Sequence, residues 1–153
     1  MKSVLLMATL LVSTSALAYD EIYLKRLLKE NQCHHCTLNE APLSDHDLQG
    51  ADMSESNLKG INLQNSNLQG AWFTHSRMHG ANMENAQLQG ALMDYTQLID
   101  VNLKNANLDN AQMIFSDLSG ADLTGASMEG TQTRGIVFCN TTMPDGSVDN
   151  SGC

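Results

Sequence analysis

A five-residue period runs through most of this chain and restricts its fold more than any other feature. Every fifth residue from Leu38 to Met128 is Leu, Met or Phe, in nineteen consecutive registers. The residue two places before each of them is mostly small, and Asn, Asp and Gly dominate the positions between. Steps of five would carry these side chains around a helix axis, or onto alternate faces of a flat strand. Only a chain that turns once per five residues directs all of them inward.

A second period of twenty residues indicates the size of each coil. One set of residues recurs at the small position: Cys36, Ser56, Ser76, Thr96 and Ser116. Another recurs at the central position: Met53, Phe73, Met93 and Met113. Four pentapeptides per coil predict an all-β solenoid with a square cross-section, whose equivalent residues stack about 4.8 Å apart. Five to six such coils would be about 25 Å tall.

The repeats resemble the A(D/N)LXX units of the pentapeptide-repeat family over roughly residues 37–129. Three units carry the resemblance: Asn62-Leu63, Ala106-Asn107-Leu108 and Ala121-Asp122-Leu123. The resemblance implies a right-handed quadrilateral β-helix with about 20 residues per coil. Four positions depart from the pattern: Thr133 at the central position, and Trp72, Arg77 and Leu92 where Asn or Asp is usual.

The two ends of the chain differ from the repeats. Residues 1–18 have a positive start at Lys2, an apolar stretch and an A-x-A end at Ala18, which predicts a cleaved signal peptide. We therefore expect a periplasmic or secreted protein, with no membrane association after cleavage. Residues 19–36 predict a capping helix followed by a CxxC motif, and a membrane-surface or partner helix is the alternative. The apolar pattern of that helix comprises Ile22, Tyr23, Leu24, Arg26, Leu27 and Leu28. Residues 37–138 form the predicted solenoid, and residues 139–153 a C-terminal cap with a turn at Pro144-Asp145-Gly146.

The four cysteines are expected to form two disulfides in an oxidising compartment. In a solenoid of this height, Cys33 and Cys36 lie about 25 Å from Cys139 and Cys153. A disulfide requires Cα atoms within about 7 Å, so the predicted pairs are Cys33–Cys36 and Cys139–Cys153.

The segment Cys33-His34-His35-Cys36 is the one chemically suggestive cluster, and it is called the histidine loop below. A structural disulfide is the favoured interpretation. A redox CxxC and a soft-metal site of thiolates and imidazoles are the alternatives. We expect no resident cofactor and no catalytic residues, because no nucleophile, base and acid group together.

Six residues on one side of the predicted coil form an outward apolar patch. They are Trp72, His75, Leu92, Tyr95, Ile114 and Phe115. Exposed apolar patches commonly mark interaction sites. One interpretation is that the patch is a protein-binding or homodimer surface. The other is that its side chains lie flat over the turns and shield the Met residues.

Charge separates the candidate functions further. The chain carries 8 Lys and Arg against 17 Asp and Glu, a net charge of −9, which disfavours nucleic acid as a partner. The family resemblance also implies an acidic DNA mimic that inhibits topoisomerases, but export would remove the protein from that target. We therefore expect an exported, non-catalytic scaffold that binds a protein, with a redox or metal protein as the alternative.

Overall fold

A computed structural model describes residues 18–153, which form a four-sided β-helix capped by a helix and a hairpin. Helix α1 spans Glu21–Glu30, and two short strands near the C-terminus, β1 and β2, span Thr141–Thr142 and Val148–Asp149. Between them, parallel bridges join residues twenty apart, from Gln32 and Asp52 to Asp122 and Thr142. A bridge falls at every fifth residue, so each pentapeptide adds one short β segment to one of four faces. The coil of twenty residues is thereby confirmed, and its pairing extends beyond residues 37–138 at both ends.

Backbone hydrogen bonds connect each coil to the next in a regular pattern. Around one repeat, the N–H of Leu58 donates to the carbonyl of Arg77 at 2.8 Å, and that of Asn57 to Cys36 at 2.8 Å. The following turn closes with a bond from Ile61 to Leu58 at 3.2 Å. The coil therefore satisfies its buried peptide groups without a conventional long-stranded sheet.

The interior consists of the five-residue apolar series. Its members from Leu38 to Leu123 are at most 1% exposed, and Met128 at the end of the series is only partly buried. Ile61 and Val101 are buried at the otherwise small inward position, where they alternate along one column with alanines. That alternation fits bulkier side chains into a narrow core without overpacking.

A buried column of hydroxyl groups at one corner replaces part of the backbone bonding, and we call Ser56, Ser76, Thr96 and Ser116 the hydroxyl column. Ser76 Oγ donates to the carbonyl of Met53 at 2.8 Å, and it accepts the N–H of Ser56 at 3.2 Å. Thr96 Oγ1 donates to the carbonyl of Phe73 at 2.8 Å in the same way. The twenty-residue recurrence of hydroxyls thus satisfies backbone groups at corners where a direct turn bond is absent or shared.

Helix α1 covers the first coil. Asp20 caps its N-terminus by accepting the N–H of Ile22 at 2.8 Å, and Asn31 ends it in the left-handed conformation, φ 58°. Leu27 is buried, and Tyr23 and Leu24 pack against the core. Ile22 is 73% exposed and Leu28 is 48% exposed, so the prediction that these two residues belong to the packed apolar face is wrong. A helix of ten residues presents only one narrow stripe to the coil end.

At the end of the coil opposite to α1, strands β1 and β2 form an antiparallel hairpin in which Thr141 pairs with Asp149. Its turn contains Pro144-Asp145-Gly146, as predicted. The Asp145 carboxylate accepts the Ser147 hydroxyl at 2.6 Å and its N–H at 2.9 Å, and these bonds lower the pKa of Asp145. The Cys139–Cys153 disulfide, with Cα atoms 4.8 Å apart, ties the tail to the last coil.

The predicted signal peptide lies outside the described residues except for Ala18. Between residues 18 and 153, no helix has the length and apolar character needed to cross a bilayer.

Candidate apolar docking face and histidine loop

The apolar patch occupies adjacent coils on one side of the β-helix. Trp72 and Leu92 are bridge partners, so their side chains lie one above the other on the same face. Trp72 is 51% exposed and Leu92 is partly buried. The structure therefore stacks Trp72 and Leu92 in one column, as the twenty-residue period indicates.

The neighbouring corner carries a stack of three rings. The ring centroids of His75 and Tyr95 are 4.9 Å apart with an interplanar angle of 12°, and those of Tyr95 and Phe115 are 5.4 Å apart at 27°. The guanidinium of Arg134 lies over the Phe115 ring, its Cζ 5.7 Å from the ring centroid. Tyr95 and Phe115 remain 52% and 49% exposed, whereas Ile114 beside them is partly buried. The rings thus pack against one another and still present half of their surface to solvent.

The backbone at this corner makes the aromatic residues costly. Tyr95 and Phe115 have φ of 55° and 57°, a left-handed conformation that Gly or Asn adopts with less strain. Gly135 continues the column, and a Cβ there would lie 2.4 Å from the Phe115 ring. Exposed aromatic rings therefore occupy turns that Gly or Asn would adopt with less strain, and Gly135 leaves room for the last ring.

The histidine loop lies at the other end of the same corner. Cys33 and Cys36 are joined in a disulfide, with Cα atoms 5.4 Å apart, and they are 0% and 1% exposed. The predicted pairing at both ends of the chain is therefore present. Because the sulfurs are oxidised and buried, they are poor participants in thiol exchange and supply no thiolate to a metal.

His34 and His35 are exposed, and both lie close to an acidic side chain of the next coil. His34 Nε2 is 3.8 Å from Glu55 Oε1, and His35 Nδ1 is 3.5 Å from Glu55 Oε2. Sequence reasoning missed Glu55, although the period contained the signal, since Glu55 follows His35 by twenty residues in the same column. Glu55 and His75 also line an open depression of about 230 Å³ together with Arg77.

Comparison with known proteins agrees with this architecture. The family model described as pentapeptide repeats matches residues 32–70, 56–94 and 96–132, in eight copies. The crystal structure of a pentapeptide repeat protein, Rfr23, from the cyanobacterium Cyanothece 51142 is 26% identical with a TM-score of 0.74. It covers 76% of this chain and 92% of its own. A pentapeptide repeat protein of the Arabidopsis thaliana thylakoid lumen is 24% identical with a TM-score of 0.66, covering 72% and 85%.

No curated protein sequence matches the chain significantly. The match to the family model nevertheless extends over most of the coil, and both crystal structures share its four-sided geometry. The chain belongs to the pentapeptide repeat family and folds as a right-handed quadrilateral β-helix.

Proposed function

We propose that this protein is an exported, non-catalytic scaffold that binds another protein through the apolar patch. The observation that carries the proposal is the half-exposed ring stack of His75, Tyr95 and Phe115, held at turns where smaller residues would be less strained. Large aromatic side chains on a rigid surface provide binding energy at little cost in conformational entropy. The stack and the adjacent Trp72 supply such anchors.

Charge favours a different protein over a second copy as the occupant. Cleavage after Ala18 would remove Lys2, leaving 7 basic and 17 acidic residues and a net charge of −10. Two such chains repel each other, whereas a basic partner is attracted and a neutral partner is not repelled. Export itself rests on the predicted signal peptide and is supported by the two disulfides, which persist in oxidising compartments.

The test uses the single tryptophan of the chain, Trp72, as a reporter within the patch. Proteins captured from the exported fraction by the immobilised mature chain are purified and titrated back in solution. Binding at the patch shifts Trp72 emission to shorter wavelength and protects it from acrylamide quenching. Binding elsewhere leaves both unchanged and refutes the proposal, as does a failure to capture any saturable partner.

A double variant removes the anchors without disturbing the turn. Trp72→Ala combined with Tyr95→Asn should abolish capture, because Asn suits the left-handed backbone of residue 95. The matched control is Asn82→Ala with Asn105→Gly, which changes a bridge position and a turn position on the opposite side of the coil. Equal capture by both variants would contradict the patch as the docking face. Sedimentation of the free chain checks self-association, and a dimer lost in the first variant alone would identify a second copy as the occupant instead.

A further inference from the structure

Three side chains with metal-binding atoms converge on the surface of the first two coils. One ligand atom from each of His34, His35 and Glu55 lies within 4.8 Å of the others. The two nitrogen-to-oxygen distances are 3.8 Å and 3.5 Å. Ligand atoms around a tetrahedral Zn²⁺ are about 3.3 Å apart, given metal–ligand bonds near 2.0–2.1 Å. Small rotations of exposed side chains would therefore complete the geometry, and we propose that these residues form a site for a divalent transition-metal ion such as Zn²⁺.

Hydrogen bonds prepare His34 as a ligand. Its Nδ1 lies 2.9 Å from Ser54 Oγ, and that hydroxyl donates to the carboxylate of Asp52. Because the hydroxyl proton is directed to Asp52, Ser54 Oγ accepts the proton of His34 Nδ1. Nε2 of the neutral imidazole then carries the free lone pair, and it is the atom that faces Glu55. A hydrogen bond on the far nitrogen is the usual way in which proteins orient a metal-binding histidine.

The backbone of the histidine loop is held in place before any ion binds. The Cys33–Cys36 disulfide closes the loop around both histidines. The N–H of His35 donates to the carbonyl of Ser54 at 3.1 Å, which fastens the loop to the next coil. On the other side, Arg26 Nη2 donates to the carbonyl of His34 at 3.4 Å. The loop is therefore preorganised, and metal binding orders only side-chain ends.

The donor set indicates the class of ion. Two imidazole nitrogens and one carboxylate oxygen suit Zn²⁺, Cu²⁺ or Ni²⁺, whereas Ca²⁺ and Mg²⁺ prefer sites made of oxygen. All three side chains are exposed, so solvent reaches the remaining coordination positions. The site uses the oxidised form of the loop, which distinguishes it from a site built on the thiolates of Cys33 and Cys36.

Isothermal titration of ZnCl₂ into the mature, disulfide-bonded protein tests the proposal. We expect one Zn²⁺ per chain, unaffected by excess Ca²⁺, with no free thiol detected by Ellman's reagent before or after. Glu55→Gln, His34→Gln and His35→Asn should each weaken binding at least about tenfold, since each removes one of three ligands. Asn preserves the left-handed backbone at residue 35, φ 58°. Far-UV circular dichroism confirms that the variants keep the fold.

Glu40→Gln is the matched control, because Glu40 occupies the equivalent turn position of the next corner, φ 57°. It should bind Zn²⁺ as the wild type does. Ser54→Ala should weaken binding about tenfold while the stoichiometry stays at one, as expected of a residue that only orients a ligand. Absence of stoichiometric binding would overturn the proposal, as would equal losses in Glu40→Gln and Glu55→Gln. Binding that appears only after reduction would assign the metal to the thiolates instead.

The test of the metal site does not depend on the proposed protein-binding function. The metal ligands lie outside the apolar patch, and Zn²⁺ titration requires no partner. The double variant Trp72→Ala with Tyr95→Asn can therefore lose partner capture and still bind Zn²⁺ as the wild type does.

Discussion

Removal of one hydroxyl from the hydroxyl column should destabilise the whole coil, and Ser76→Ala is the cleanest such change. Ser76 is fully buried, donates to the carbonyl of Met53 at 2.8 Å and accepts the N–H of Ser56 at 3.2 Å. Alanine fits the space, since it occupies the same position in many other repeats. The variant loses two hydrogen bonds, each contributing about 1 kcal/mol net, so we expect the free energy of unfolding to fall by about 2 kcal/mol.

A local rearrangement could reduce that loss. At alanine corners the turn closes directly, as in the 3.1 Å bond from the N–H of Ala81 to the carbonyl of Met78. If Ser56 formed the same direct bond to Met53 in the variant, no buried group would stay unpaired. A loss of about 2 kcal/mol would show that the Ser56 N–H and the Met53 carbonyl stay unpaired in the variant. A smaller loss would show that they bond to each other directly.

Urea unfolding of the disulfide-bonded protein, followed by circular dichroism, provides the measurement. Ser66→Ala should show a similar loss, because Ser66 Oγ donates to the carbonyl of Leu43 at 2.7 Å and accepts the N–H of His46 at 3.3 Å. Ser119→Ala, whose partly buried hydroxyl donates only to the Asp117 carboxylate two residues away, should remain within about 0.5 kcal/mol of wild type. A Ser76→Ala loss as small as that of Ser119→Ala, at unchanged denaturant dependence, would refute the reasoning.

Three further predictions concern the corner that carries the ring stack and the C-terminal cap. Gly135→Ala should displace the Phe115 ring, because the added Cβ would lie 2.4 Å from it. The left-handed backbone at residue 135, φ +70°, should also lower the free energy of unfolding by about 1–2 kcal/mol. Loss of ring-current shifts in NMR spectra would report the displaced ring. Cys139→Ser combined with Cys153→Ser should lower stability by up to about 3 kcal/mol through the lost loop constraint, measured by urea unfolding, and unchanged stability would show that the hairpin needs no covalent tie. Because the pKa of Asp145 is lowered from 3.8, its contribution to stability is present above about pH 4 and is lost as the pH falls through the lowered value. The protection factors of the hairpin amides against hydrogen exchange should therefore fall below about pH 4, and the effect should be absent in Asp145→Asn.

The inside and outside of the coil could be predicted from the sequence because both depend on a period alone. A turn at every fifth residue fixes which side chains enter the core, and twenty residues per coil fix which of them stack. The same reasoning placed the two cysteine pairs at opposite ends of the molecule. The large residues Ile61 and Val101 are also buried at the small inward position, since register overrides size when small neighbours leave room.

Side-chain bonding between coils was less accessible. The recurrence of Ser and Thr at one corner was visible, but its role was not, because it depends on turns in which the direct backbone bond is absent or shares its carbonyl with a hydroxyl. Glu55 was overlooked because it has no motif of its own beside His34 and His35. The exposure of Ile22 and Leu28 was also missed, since six apolar or amphipathic positions in ten residues exceed the single stripe that packs on the coil.

One geometric property connects the apolar patch with the proposed metal site. Residues twenty apart at a corner are separated by about one strand spacing, 4.8 Å, which is also a favourable distance between stacked rings. At the other corners Gly, Asn and Asp dominate the left-handed position, and the contacts along a column are hydrogen bonds between short side chains, as from Asn65 to Asp45. At this corner His35, Glu55, His75, Tyr95 and Phe115 occupy it in succession, so every neighbouring pair is within side-chain reach. The charged end of that column brings imidazole and carboxylate groups together, and the aromatic end brings rings together. Replacing His75 by Asn should therefore expose the adjacent face of the Tyr95 ring while Zn²⁺ affinity stays unchanged, because the ion requires only the coils below.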